Sequence, residues 1–221
     1  MNAFLHAVER SAVDPKDLYV LSGMGCTGRI KDVLKLTHEP VTDSLPVERA
    51  KHSDIRTGDR RAVVFQTDAD LICHGVDGFA DAARAGCDAL VIHVSSLVYE
   101  IASPLALSSG RTSAPSLGSR EAPFNIPLLA MSCGARYVAR WTPIHARRLA
   151  LSIAGCLTER AFSVIEVVAP CLMYYSRLHQ AGTVVDRAVH MERVLLDHDA
   201  HPGELDLRRE HEIVVGIFRD H

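Results

Sequence analysis

Two aspartates separated by one alanine, Asp68-Ala-Asp70, end an apolar run, and Ser96 ends the next such run 26 positions after Asp70. The carboxyl ends of adjacent strands lie side by side in a parallel sheet, so a carboxylate and a hydroxyl can meet there. Mg²⁺ takes about six oxygens at about 2.1 Å, and the protein usually supplies one or two carboxylates while phosphate oxygens and waters complete the shell. Asp70, the Ser96 hydroxyl and the backbone carbonyl of Val98 would suit a Mg²⁺ that bridges a diphosphate. Spacing alone favours a plainer reading, in which Asp68 and Asp70 cap the helical pattern that begins near Gly75.

A second feature is the turn Gly23-Met-Gly-Cys-Thr-Gly28, which can offer backbone N–H groups to an anion. It has neither the dinucleotide-binding spacing nor the Lys-Ser/Thr of a P-loop, so alone it is a weak signal. Six cysteines (Cys26, Cys73, Cys87, Cys133, Cys156 and Cys171) include no Cys-x-x-Cys pair. That argues against a self-contained zinc site and makes a small buried hydrophobe the default for each. His74 is expected to be structural, and the Asp197-His-Asp-Ala-His201 stretch to be a solvated tail rather than a metal site. Tyr137 and Trp141 are expected in the core or an interface. Arg140, Arg147 and Arg148 read as a solvated helix face, with an acidic partner as the alternative.

These residues need a scaffold, and the apolar pattern supplies one. Leu18–Ser22, Ala62–Gln66, Ala89–Val94 and Ser163–Val168 are continuous, β-branched runs, as strands buried on both faces require. Ala3–Ala12, Gly75–Ala85 and Ile144–Glu159 carry apolar residues at three- and four-residue spacing, the mark of amphipathic helices. Alternation of the two predicts an α/β fold, doubly wound, with a mostly parallel sheet and helices on both faces. Ligands in such sheets lie beyond the carboxyl ends of the strands. The stretch from Ala102 to Pro127 is rich in Ser, Gly and Pro and predicts a long functional or poorly ordered loop. One domain is expected over residues 1–195, with 196–221 a charged tail on the surface or against a partner.

Bulk properties narrow the function classes. With 221 residues, 48% hydrophobic and 23% charged, the chain is a normal globular domain. A net charge of −3 gives no basic field for nucleic acid or an anionic membrane. No apolar run approaches the ~20 residues of a membrane span, and the N-terminus has no secretory h-region, so a cytoplasmic protein is expected.

The order of the motifs is more specific than any one of them. Ser22-Gly-Met-Gly-Cys-Thr-Gly-Arg29 resembles the S-G-I-G-C-S-G-R segment of 2-oxoacid:ferredoxin oxidoreductase β subunits. Thr67-Asp-Ala-Asp70 stands where that family has G-D-G-D, and Ser95-Ser-Leu-Val-Tyr99 where it has N-N-x-x-Y. Gly134–Arg140 is similar to its G-A-x-Y-V-A-R strand, Ile165–Cys171 to I-E-V-x-S-P-C, and Tyr175-Ser-Arg177 to Y-G-R. The resemblance spans roughly residues 1–195.

It implies the thiamine-diphosphate-binding fold and a subunit that acts with an α subunit as a hetero-oligomer. Such a complex decarboxylates a 2-oxoacid oxidatively to an acyl-CoA and passes electrons to ferredoxin. By position the resemblance implies cofactor contacts at Gly25, Cys26, Thr67, Asp68, Ala69, Ser95 and Tyr99. It implies Mg²⁺ ligands at Asp70, Ser96 and the Val98 carbonyl, and places Cys26 and Cys171 at two of four [4Fe-4S] ligand positions. The other two belong to a C-P-G-C-G motif that would align just before Met1; either the start is set one motif too late, or the motif is lost and Cys26 and Cys171 are remnants, and two thiolates alone do not make a cluster site. Both glycines of G-D-G-D are replaced, by Thr67 and Ala69, and Glu100 brings an acidic group toward the diphosphate position. These departures leave a second reading, a catalytically inactive β-like scaffold or regulatory subunit that keeps the fold.

Overall fold

The computed structural model describes residues 2–23, 26–32, 38–41, 46–52, 60–71, 75–96, 125–169, 194–196, 205 and 213–219. The chain opens with α1 (Asn2–Ser11), turns through a 3₁₀ segment at Pro15–Asp17 and enters β1 (Leu18–Ser22). A second 3₁₀ segment (Cys26–Asp32) leads to β2 (His38–Pro40), α2 (Pro46–His52) and β3 (Arg61–Thr67). The short α3 (Asp68–Asp70), α4 (Val76–Arg84) and β4 (Ala89–Ser95) follow. Then come α5 (Ile126–Ser132), β5 (Tyr137–Trp141), α6 (Ala146–Thr158), β6 (Ser163–Val168), β7 (Val194–Leu196) and β8 (Ile213–Arg219).

Among the described residues the strands form one sheet in the order β2-β1-β3-β4-β6-β5-β8-β7, parallel at every pairing except β5 with β8. The expected doubly wound architecture is what the chain builds. Every residue of β3 and of β5 is buried, which explains why their apolar pattern does not alternate. Val63, Phe65, Leu90, Ile92 and Ile165 point to one face, where Phe4 and Ala7 of α1 and Leu149 and Ile153 of α6 pack on them. Val64, Val91, Val138 and Val164 point to the other, against Val47 of α2, Phe79 of α4 and Ile126 of α5. Each face carries an edge-on aromatic pair, Phe4–Phe65 with ring centroids 5.2 Å apart and Phe79–Phe162 at 5.5 Å.

The tail contributes more than the sequence pattern promised. Its β8 pairs antiparallel with β5, with Ala139 opposite Ile217 and Arg140 opposite Gly216, so part of 196–221 belongs to the sheet. Of the expected long loop, only Asn125 onward lies within the described residues. There Asn125 caps α5 by accepting a hydrogen bond from the Leu128 N–H at 3.1 Å.

Strand order fixes where a ligand can sit. From β1 the chain places β2 on one side and β3 on the other, so the order reverses at the β1/β3 crevice. In open α/β sheets that reversal point, at the carboxyl ends of the strands, is the binding position.

Candidate active site

At this crevice the carboxyl ends of β1, β3 and β4 converge. Gly23, just beyond β1, donates its N–H to the Phe65 carbonyl of β3 at 3.1 Å. A Cβ built on Gly23 would overlap the carboxylate carbon and both oxygens of Asp70, so only glycine fits beside this side chain. The following turn is equally close, since a Cβ on Gly28 would come within 2.9 Å of the Gly23 carbonyl oxygen. Thr27, in the same turn, keeps a buried hydroxyl with no hydrogen-bond partner among the described residues. Replacing Gly23 with alanine should destabilise the protein by about 1–3 kcal/mol through overpacking, read as a lower urea midpoint at unchanged m-value.

Asp70 turns back on its own helix. Its Oδ2 accepts from the Thr67 N–H at 2.7 Å and from the Thr67 hydroxyl at 2.8 Å, closing a capping box. Burial pushes the Asp70 carboxyl above the usual carboxylate range, against the opposing pull of the Thr67 hydrogen bonds. Asp68 points the other way, across to β4. Its Oδ2 accepts both the Ser96 N–H at 2.7 Å and the Ser96 hydroxyl at 2.8 Å, and its Oδ1 meets His93 Nε2 at 3.1 Å.

The expectation pairs Asp70 with Ser96 around a cation, and the carboxylate that stands against Ser96 in the structure is Asp68. The reason is local: the tight start of α3 puts Asp70 at the third helical position, where it reaches the Thr67 N–H, and leaves Asp68 at the first, facing β4. The plainer expectation, that an aspartate here caps a helix, describes Asp70.

The remaining expected site residues fall out differently. Thr67 caps α3 and Ala69 is exposed. The Ser95 hydroxyl is turned into the sheet, where it donates to Glu166 Oε1 at 2.6 Å. Cys26 is exposed at the start of its 3₁₀ segment. Gly25, Val98, Tyr99 and Cys171 lie outside the described residues, as do His74 and Glu100. Among the described residues no group of three or more His, Cys, Asp or Glu is placed to hold a metal ion.

A row of four buried polar residues lies directly behind the site. Gln66, His93, Glu166 and Arg140 are register partners across β3, β4, β6 and β5, on the face that elsewhere carries valines. Arg140 is fully buried and donates from Nε to Glu166 Oε2 at 2.6 Å and from Nη1 to the Leu205 carbonyl at 2.8 Å. It is therefore no part of a solvated helix face, although Arg147 and Arg148 on α6 are exposed as expected. Tyr137 and Trp141 are core residues, and the Trp141 indole N–H donates to the Ser152 hydroxyl at 2.8 Å. The sequence does signal the row: each of the four strands carries a polar side chain near its carboxyl end on the face that otherwise holds valine.

Comparison with known proteins assigns the ancestry. No family profile matches the chain. The 2-oxoglutarate synthase subunit KorB of Methanocaldococcus jannaschii is 31% identical over the whole chain, which covers 83% of that protein. KorB of Methanothermobacter marburgensis is likewise 31% identical, with 79% of its length covered. The chain belongs to the 2-oxoacid:ferredoxin oxidoreductase β-subunit family. A more distant relative is the β subunit of 2-oxoacid:ferredoxin oxidoreductase 2 from Aeropyrum pernix, 24% identical over 79% of this chain.

The fold comparison agrees with that family. The 2-oxoglutarate:ferredoxin oxidoreductase of Magnetococcus marinus, solved with 2-oxoglutarate, coenzyme A and succinyl-CoA bound, superposes with a TM-score of 0.77 at 20% identity. It covers all of this chain and 78% of its own. Benzoylformate decarboxylase from Polynucleobacter necessarius matches 76% of this chain with a TM-score of 0.52 and 16% identity. A thiamine diphosphate-dependent 4-hydroxybenzoylformate decarboxylase from Rhodococcus jostii gives 0.53 at 18%. This β-subunit relative therefore has the fold of thiamine-diphosphate enzymes, and no helix among its described residues is long and apolar enough to cross a membrane.

Proposed function

We propose that this chain is the thiamine-diphosphate-binding β subunit of a 2-oxoacid:ferredoxin oxidoreductase. With an α subunit it would convert a 2-oxoacid and CoA to an acyl-CoA and CO₂, passing the electrons to ferredoxin in the cytoplasm. The names of the relatives make 2-oxoglutarate the first 2-oxoacid to test. The observation that carries the reading is the contact of Asp68 with Ser96 at the β1/β3/β4 mouth, in a chain of this family.

The residues present fit a diphosphate-bound Mg²⁺. Asp68 Oδ2 and Ser96 Oγ are hard oxygen donors 2.8 Å apart. Adjacent ligands of an octahedral Mg²⁺ with bonds of about 2.1 Å lie about 3 Å apart, so one cation can take both. Gly23 starts a close-packed turn against Asp70, and Thr27 in that turn has an uncommitted hydroxyl. Asp68 and Ser96 would hold the cation, with the Val98 carbonyl a third ligand, while Asp70 fixes the turn that aims Asp68. Thiamine diphosphate, when bound, supplies the carbanion that attacks the 2-oxoacid carbonyl and stabilises the charge left after CO₂ departs.

The chain's own contribution is to bind and orient. The capping box holds Asp70 and the start of α3, which sets the direction of Asp68. The Ser96 N–H and hydroxyl tie the end of β4 to the start of α3. Gly25, Cys26, Thr67, Ala69, Ser95 and Tyr99 complete the proposed cofactor surroundings, with Thr67 and Ser95 acting through the backbone they fix. Cys26 and Cys171 would supply two ligands of an iron–sulfur set.

Calorimetric titration of the α-subunit complex with thiamine diphosphate and Mg²⁺ tests the proposal. Saturable, Mg²⁺-dependent binding together with 2-oxoacid-dependent reduction of ferredoxin is the expected result. A stable complex that takes up no cofactor would instead favour the scaffold reading, for which the internally satisfied Asp68 is the supporting observation.

A further inference from the structure

His93 has no part in the reading above, yet it is a fully buried polar side chain that touches Asp68. It sits in the middle of β4 with no exposed surface, at a position where the same face one row earlier carries Val91. Burying an imidazole where a valine would pack leaves two ring nitrogens to be satisfied, a net cost unless both find partners. Both do. Nδ1 lies 3.2 Å from Gln66 Nε2, and Nε2 lies 3.1 Å from Asp68 Oδ1.

The partners select one tautomer. The Gln66 amide nitrogen is a donor only, so His93 Nδ1 must accept. A neutral imidazole then carries its hydrogen on Nε2, which donates to Asp68 Oδ1. Asp68 is thereby held at both oxygens, by His93 on one side and by Ser96 on the other. The Glu166 carboxylate, which faces His93 across the sheet, is taken by Ser95 and Arg140 and does not compete for the ring.

We propose that His93 is a positioning residue, and that the chain Gln66–His93–Asp68–Ser96 fixes the plane of the Asp68 carboxylate so that Oδ2 and the Ser96 hydroxyl oxygen face the same point. The proposal rests on the reading of Asp68 and Ser96 as a cation site. Partners that orient a metal-binding side chain typically govern metal affinity by about 10–100-fold.

The test uses His93→Leu, which fills the volume without a donor, and His93→Gln, which restores an N–H toward Asp68. In the α-subunit complex with thiamine diphosphate, Mn²⁺ affinity read by electron paramagnetic resonance should fall about 10–100-fold in His93→Leu. His93→Gln should recover most of that loss. A second readout needs no cofactor: hydrogen exchange at the Ser96 amide should be at least several-fold faster in His93→Leu than in wild type or His93→Gln. A third uses the unsubstituted chain, in which ¹⁵N resonances should show His93 protonated at Nε2 and bare at Nδ1. Wild-type exchange and Mn²⁺ affinity in His93→Leu, or a proton on Nδ1, would overturn the proposal. If wild type takes up no Mn²⁺ while the exchange and tautomer results are as expected, the cation-site reading fails and the positioning of Ser96 by His93 stands.

Discussion

Replacing Glu166 with leucine should destabilise the protein by about 3–5 kcal/mol, because it strands the Arg140 charge in the core. Both partners of this pair are essentially free of solvent contact, so water cannot compensate. For a domain of this size about 1 kcal/mol moves Tm by roughly 2–4 °C, so a fall on the order of 10 °C is expected in a thermal melt. The loss should be strongly non-additive. Arg140→Met combined with Glu166→Leu removes both charges and should recover a large part of the stability, since apolar replacements of buried ion pairs are often neutral. A double-mutant cycle by urea denaturation checks this, and additive losses would show that the pair is not coupled as its geometry implies.

Replacing Asp68 with asparagine should weaken thiamine-diphosphate-dependent Mn²⁺ binding on the order of 100-fold or more, because so few carboxylates serve such a cation. Asparagine keeps an acceptor for Ser96 but turns its NH₂ toward the His93 N–H, so the fold should survive with a loss of about 1–3 kcal/mol. Asp68→Ala is harsher: the Ser96 N–H, the Ser96 hydroxyl and the His93 N–H all lose their acceptor, at about 1–3 kcal/mol for each left buried. Asp70→Asn is the contrast. It keeps an acceptor for Thr67 and removes a charge that burial disfavours, so Tm should hold or rise. Its effect on Mn²⁺ should be much smaller than that of Asp68→Asn. The opposite ranking would return the cation to Asp70. The same titration reads both variants.

Leu18–Ser22 and Ser163–Val168 read as strands and are strands over the same residues, because a parallel strand covered on both faces keeps a continuous apolar run even with a buried Glu166 inside it. By contrast, Ile213–Arg219 has strand composition but sits in a stretch of alternating charges, and the pairing with β5 that buries it is invisible locally. Which aspartate faces β4 is hidden for a similar reason. Sequence spacing brings both Asp68 and Asp70 to the strand end, and only the start of α3 decides which carboxylate folds back and which reaches across. Gln66, His93, Glu166 and Arg140 are 27, 73 and 26 positions apart when taken in that order, so they become one row only when register aligns four strands.

The antiparallel pairing of β8 with β5 also shapes how the chain must reach its native state. Arg140, on β5, directs Nη1 to the carbonyls of Leu205 and Val214 at 2.8 and 3.5 Å, groups that follow it by more than sixty residues. During vectorial synthesis the other strands among the described residues emerge before β8, and β5 waits as an open edge on that side with its row of N–H and C=O groups unmet. An uncovered edge of that kind is a template for pairing with another chain. The interval before β8 docks is thus a period of aggregation risk, and a pause in synthesis just ahead of β8 should lower the soluble yield.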